Sequence, residues 1–109
     1  MDYALDAVFN DEKKRWSVTI TGEVDIFNSA DMKKSLTELI KQKNADIVMD
    51  CKCLEYIDST ALGALVGVLK NVKSYGGSIY LCNVKPNLSK LFKITNLDKV
   101  FILEGDVCE

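Results

Sequence analysis

The chain has 109 residues, with 14 Lys and Arg against 16 Asp and Glu and a formal net charge of −2. This length predicts a single domain over residues 1–109, and 48% apolar with 28% charged residues is ordinary globular composition. The mild acidity argues against nucleic acid as a partner. No apolar run approaches the ~20 residues of a membrane span, and the N-terminus lacks the pattern of a signal peptide. We therefore expect a cytoplasmic protein without a membrane partner.

The N-terminal part of the chain predicts a β-hairpin. Residues 3–9 and 16–21 have the composition of strands, and the second segment alternates with period two and is rich in β-branched residues. The polar residues 10–14 between them predict a turn. Gly22 is expected to end the second strand, and residues 23–25 are expected to form a loop.

A helix is expected after that loop. Asn28 or Ser29 is a candidate cap for its first turn, and the pattern ends near residues 43–44. Four apolar residues recur at helical spacing: Met32, Leu36, Leu39 and Ile40. This spacing predicts an amphipathic helix of about four turns.

The rest of the chain alternates strands with helices. We expect, in order, a strand at 46–50, an apolar helix at 61–72, a strand at 78–82, a helix from Pro86 and a last strand at 100–103. Such alternation is typical of right-handed crossovers between parallel strands. The predicted fold class is therefore α/β, with a small, mixed, mostly parallel sheet, an N-terminal hairpin and helices packed against the sheet. Gly63 and Gly67 are expected to let the apolar helix approach the sheet closely.

Three carboxylates are candidates for a metal site. Asp25, Asp50 and Asp58 each follow a strand or precede a helix, so they could meet at the carboxyl end of a parallel sheet and hold Mg²⁺ in a small hydrolase or phosphatase. Each is equally typical of a turn or a helix cap. The chain has no His, which removes the commonest general base and metal ligand. We therefore expect no metal, no cofactor and no enzymatic activity.

Ser59 lies between Asp58 and Thr60, where the most apolar helix begins. A serine at such a place is a candidate helix cap. It is a poor nucleophile, because the chain offers no His to activate it. As an acceptor of phosphate from another enzyme, it needs only to be exposed.

Two motifs resemble those of a known family. The sequence D-S-T-A-L-G at residues 58–63 resembles the D-S-[ST]-G-L-G signature of STAS domains, and it is most similar to that of single-domain anti-sigma factor antagonists. The sequence G-E-V-D at residues 22–25 resembles the G-E-x-D of the same family, and residues 78–84 and 91–97 match its later elements. The resemblance covers nearly the whole chain and implies a STAS-like fold. Ala61 stands where the family usually has glycine.

The resemblance implies a phosphorylation switch. In such antagonists the unphosphorylated form binds an anti-sigma factor and frees the sigma factor. The anti-sigma factor, a serine kinase, phosphorylates the serine that corresponds to Ser59 and thereby ends binding, and a phosphoserine phosphatase resets the switch. We expect the partner surface to comprise Asp25, Asp58, Ser59, Thr60, Leu62 and Lys70.

A second hypothesis from the same resemblance is a STAS interaction subunit of a transport or stress-signalling complex. In that case Ser59 caps the helix and is never phosphorylated.

Overall fold

The computed structural model of the chain describes residues 2–104. This part of the chain contains six strands, three α-helices and one short 3₁₀ helix, Leu97–Lys99. The strands are β1 (Tyr3–Asn10), β2 (Arg15–Val24), β3 (Asp46–Asp50), β4 (Leu54–Ile57), β5 (Ile79–Cys82) and β6 (Ile102–Leu103). The helices are α1 (Ser29–Gln42), α2 (Ser59–Lys73) and α3 (Pro86–Ile94).

The six strands form one sheet. Five of them lie side by side in the order β1-β2-β3-β5-β6, and β4 pairs with β2. The β1–β2 hairpin is antiparallel, whereas the other pairs are parallel. The predicted α/β fold, a mixed and mostly parallel sheet that begins with a hairpin, is confirmed.

The second strand is longer than predicted. It does not end at Gly22 but continues to Val24, with Gly22 in a left-handed conformation at φ 91°. A Cβ at this position would lie 2.2 Å from the carbonyl oxygen of Asp2, so the strand can pass here only without a side chain.

Beyond Gly22, the end of β2 pairs in parallel with β4, a strand that the sequence pattern did not predict. β3 pairs with the first half of β2 and β4 pairs with its end, so the two strands follow one another along β2. The residues after β4 are therefore held beside the end of β2, where the loop to α1 begins.

The core lies between one face of the sheet and the helices. Strand pairing aligns Trp16 with Ile47, and Ile47 with Ile79, so these side chains share a face. They belong to the same buried cluster as nine apolar side chains of the three helices: Met32, Leu36, Ile40, Leu65, Val68, Leu69, Val72, Leu88 and Phe92. The helices therefore pack against the sheet as predicted, and the amphipathic spacing in α1 corresponds to its buried stripe.

The C-terminal strand is shorter than predicted. Asn96 adopts a left-handed conformation at φ 61°, and the 3₁₀ helix follows it directly. β6 consequently begins at Ile102 rather than at residue 100. Phe101 before it is buried and packs edge-on against Phe92, with ring centroids 5.5 Å apart.

Helix α2 is the most apolar of the three and extends over 15 residues. It ends where predicted, since Gly76 takes a left-handed conformation at φ 83° and its N–H donates to the carbonyl of Lys73. No helix between residues 2 and 104 is both long and apolar enough to cross a membrane.

Candidate functional site

The helix cap at the start of α2 is Asp58, not Ser59. One carboxylate oxygen of Asp58 accepts a hydrogen bond from the backbone N–H of Ala61 at 2.8 Å, which satisfies a donor of the first turn. Ser59 is the first residue of the helix, and both Ser59 and Thr60 are exposed. The hydroxyl of Ser59 is therefore not needed for capping and lies at the surface.

The same aspartate joins α2 to the loop before α1. The second carboxylate oxygen of Asp58 accepts a hydrogen bond from the backbone N–H of Ile26 at 2.9 Å. The backbone N–H of Asp58 also donates to the carbonyl of Val24, at 3.2 Å, where β2 ends. Because β4 runs parallel to β2, the residues after each strand meet at one edge of the sheet. The loops at Asp25 and Ser59 are thus brought together.

Asp25 is buried, with 7% of its surface exposed. Its carboxylate accepts from the backbone N–H of Phe27 at 2.9 Å, and its carbonyl accepts from the N–H of Ser29 at 2.8 Å. We expected Asp25 to contact a partner directly. The Asp25 side chain is instead hydrogen-bonded within its own loop. It therefore supports the surface by fixing the conformation of that loop.

Asn28 stands at the cap position of α1, but its side chain makes no capping bond to the helix. The amide oxygen accepts from the N–H of Asp25 at 2.8 Å, and the amide nitrogen donates to the carbonyl of Glu23 at 3.0 Å. Ser29 is buried, with 4% exposed. Asn28 therefore stabilises the loop of residues 23–28 rather than acting as a side-chain cap, and Ser29 is the buried first residue of the helix.

Helix α2 presents one face to solvent and buries the other. Ser59 and Lys70 are eleven residues apart, which is three turns and ~16 Å on one face of a helix, and both are exposed. Leu62 was expected on this surface, but it is only 6% exposed and packs in the core. This argues against a direct contact of Leu62 with a partner, because its side chain belongs to the buried core cluster.

The glycines of α2 lie away from the sheet. Nothing lies within 4 Å of a Cβ placed at Gly63, and a Cβ at Gly67 would meet the side chain of Lys33 on α1. The expectation that these glycines allow close packing against the sheet is therefore wrong. At Gly67 the Lys33 side chain takes the space over α2, whereas at Gly63 the surface of the helix is open.

The proposed cluster of three carboxylates does not form. Asp50 accepts hydrogen bonds from the backbone N–H of Lys52 and from the side-chain amide of Asn83, both at 3.0 Å. Asp25 and Asp58 are engaged at the loop described above. Among residues 2–104, no group of three acidic, Cys or His side chains is placed to hold a metal ion.

Ala61, which departs from the usual glycine of the signature, is fully buried and lies in the first turn of α2. Its N–H donates to Asp58, as the cap requires. A helical backbone suits alanine well, so this departure leaves the start of the helix intact.

Two exposed residues beside Ser59 were not predicted from the sequence. Ile26 and Phe27 are 64% and 90% exposed at the tip of the loop between β2 and α1. They follow Asp25 and precede the helix, so they belong to the apolar pattern of neither element. Two adjacent apolar residues in a loop, outside the pattern of any helix or strand, are the sequence feature that could have indicated them.

Together, the mixed sheet, the helices on one face and the exposed serine at the carboxyl edge of β4 define a small α/β domain that presents a hydroxyl beside a structured loop. The STAS domain family matches residues 10–109, and this chain belongs to that family.

The anti-sigma-B factor antagonist of Bacillus subtilis is 40% identical over 83 residues, which cover 76% of this chain and 75% of the relative. A Thermotoga maritima protein described as an anti-sigma factor antagonist aligns with a TM-score of 0.78 at 27% identity, over 94% of this chain and 86% of that protein. The phosphorylated form of SpoIIAA from Bacillus shares the fold, with a TM-score of 0.73 and 18% identity over 95% and 92% of the two chains.

Proposed function

We propose that this chain is an anti-sigma factor antagonist whose binding is ended by phosphorylation of Ser59. In its unphosphorylated form it binds an anti-sigma factor and releases the sigma factor. The anti-sigma factor acts as the serine kinase, and a phosphoserine phosphatase restores the binding form. The names of the relatives support the first part of this proposal. The exposed Ser59, which Asp58 relieves of capping, is the observation that carries the second part.

The placement of the hydroxyls supports Ser59 as the phosphoacceptor. A kinase can reach Ser59 at the surface, whereas Ser29 in the adjacent loop is 4% exposed. Thr60 is also exposed and is the close rival. The chain acts by binding rather than by catalysis, and the cytoplasm is the location that this function requires.

The charges around Ser59 account for the direction of the switch. Phosphorylation adds about −1.5 to −2 charges beside the Asp58 carboxylate. Residues 16–32 and 53–69, the two sequence segments that carry the Asp25 loop and Ser59, contain no Lys or Arg. The N-terminus of α2 favours the phosphate by ~0.3–1 kcal/mol, and the carboxylate opposes it by a similar amount. Phosphorylation should therefore change the stability of the domain little.

At the interface, the same phosphate would lose water without gaining a cation from this chain. A loss of ~3–4 kcal/mol there weakens binding by two to three orders of magnitude. The Ser59→Asp variant tests this local mechanism. It should keep a native circular dichroism spectrum and melt within a few degrees of the wild type, yet bind at least tenfold more weakly. A phosphorylated protein that melts far below the unmodified one would point to a conformational switch instead.

The phosphoacceptor is tested by incubating the chain with the anti-sigma factor of its own host and ATP, followed by intact mass spectrometry. We expect one added phosphate in the wild type and in the Thr60→Ala control, and none in Ser59→Ala. Phosphate that persists in Ser59→Ala contradicts the assignment. Binding without any phosphorylation would favour the alternative of a STAS interaction subunit.

A further inference from the structure

Phe27 and Ile26 are exposed without a structural reason within residues 2–104. Phe27 is 90% exposed and Ile26 is 64% exposed, and neither belongs to the buried cluster of the core. A large apolar side chain that stays in water buries no apolar surface, so it adds nothing to the stability of the isolated domain. Two of them, adjacent in sequence and next to the site, point to a contact with another molecule.

The loop that carries these side chains is held rigidly. The N–H of Ile26 donates to Asp58 and the N–H of Phe27 donates to Asp25, each at 2.9 Å. The Asp25 carboxylate lies beneath the loop, and Asn28 ties the loop to its own start. A side chain on such a fixed backbone loses little conformational freedom when it binds, which is the property of an interaction anchor.

We infer that Phe27 and Ile26 form an apolar anchor that inserts into an apolar pocket of the same partner that contacts Ser59. The inference rests on the proposed function and adds to it the chemistry of the partner surface. We choose the partner of Ser59 because the two surfaces are joined: the Asp58 carboxylate that caps the helix of Ser59 also accepts a hydrogen bond from the N–H of Ile26. A partner that covers Ser59 therefore lies against this loop as well.

The charge distribution specifies the partner further. A partner that binds the unmodified serine and rejects phosphoserine offers no net attraction to a phosphate on Ser59, even though a kinase must bring ATP and its metal ion to this hydroxyl. The contact at Ser59 is therefore not the source of the affinity, and the anchor beside it is apolar. Affinity then comes from Phe27 and Ile26, whereas the dependence on phosphorylation comes from Ser59.

Titration calorimetry with the anti-sigma factor of the host tests the anchor. Phe27→Ala should raise the dissociation constant at least 30-fold, which corresponds to about 2 kcal/mol. Ile94→Ala is the matched control, because Ile94 is 68% exposed at the end of α3, and its dissociation constant should stay within twofold of the wild type. Both variants should melt as the wild type does. Raising the NaCl concentration from 0.1 to 0.5 M should leave the ratio of Phe27→Ala to wild type unchanged, since an apolar contact is not screened.

The outcomes separate the anchor from the proposed function. A wild type that binds and is phosphorylated, together with a Phe27→Ala variant that binds within threefold of it, overturns the anchor alone. A wild type that neither binds nor is phosphorylated contradicts the proposed function, and with it the named partner. Sedimentation of the chain alone tests the alternative that a second copy of the chain binds the anchor. A wild-type dimer that Phe27→Ala dissociates would assign the anchor to self-association and overturn the inference.

Discussion

Asp58 connects the two loops of the site, and its removal has a calculable cost. Its two carboxylate oxygens accept from Ala61 at 2.8 Å and from Ile26 at 2.9 Å. Loss of a helix cap costs ~1 kcal/mol. Loss of the second bond, whose donor lies in an exposed loop, costs a further ~1 kcal/mol. Asp58→Ala should therefore lower the free energy of unfolding by ~2 kcal/mol, which is a fall of ~8–16 °C in melting temperature for a domain of this size.

The Asp58→Asn variant separates the two bonds. Asparagine caps helices as well as aspartate does, so the bond to Ala61 is kept. Its amide nitrogen cannot accept from Ile26, so we expect half the loss, ~1 kcal/mol. Urea unfolding followed by the fluorescence of the buried Trp16 measures both values.

The exposed Asp6 on β1 provides the control, and Asp6→Ala should stay within ~0.5 kcal/mol of the wild type. Equal losses for Asp58→Ala and Asp58→Asn would refute the capping role. A fully stable Asp58→Asn would refute the contribution of the Ile26 bond.

Three further predictions follow from the backbone and from burial. Gly63→Ala should raise the melting temperature by ~2–8 °C, because the site is open and alanine favours the helix by ~0.5–1 kcal/mol; an unchanged or lower melting temperature would contradict this. Gly22→Ala should cost at least ~2 kcal/mol in urea unfolding, since φ is 91° and the new Cβ would meet the carbonyl of Asp2; a neutral substitution would show that the strand can shift. Burial raises the pKa of the Cys51 thiol from 9.0 to about 12, so the unfolded chain loses this proton before the folded protein does. The stability that the protonated thiol contributes is therefore fully present below pH 9 and is lost between pH 9 and 12. The urea midpoint of Cys51→Ala should fall less steeply with pH over that range than the midpoint of the wild type. An equally steep fall in the variant would exclude this thiol as the cause.

The elements with a strong apolar period were predictable from sequence, whereas those that depend on pairing were not. α1 shows one buried stripe at helical spacing, and β2 alternates up to Gly22. β4 has only four residues, buried at its two ends and exposed between them, so it carries neither period. A glycine usually indicates the end of a strand, but Gly22 lies within β2, where the close approach of the Asp2 carbonyl leaves no room for a side chain.

The site was predictable where a motif carries it and not where tertiary packing decides exposure. The D-S-T motif predicted Ser59 at the start of a helix, and the structure has it there. Whether Asp58 or Ser59 caps that helix depends on side-chain geometry that the sequence does not encode locally. Leu62 and Phe27 show the same limit in opposite directions, because Leu62 is buried in the core and nothing within residues 2–104 covers Phe27.

The central claim, that phosphorylation of Ser59 ends binding, is tested most directly by one pair of titrations. The chain phosphorylated on Ser59 and the unmodified chain are each titrated against the anti-sigma factor of the host at one salt concentration. We expect a dissociation constant two to three orders of magnitude higher for the phosphorylated chain, in line with a desolvated phosphate at ~3–4 kcal/mol. Equal dissociation constants for the two forms would contradict it.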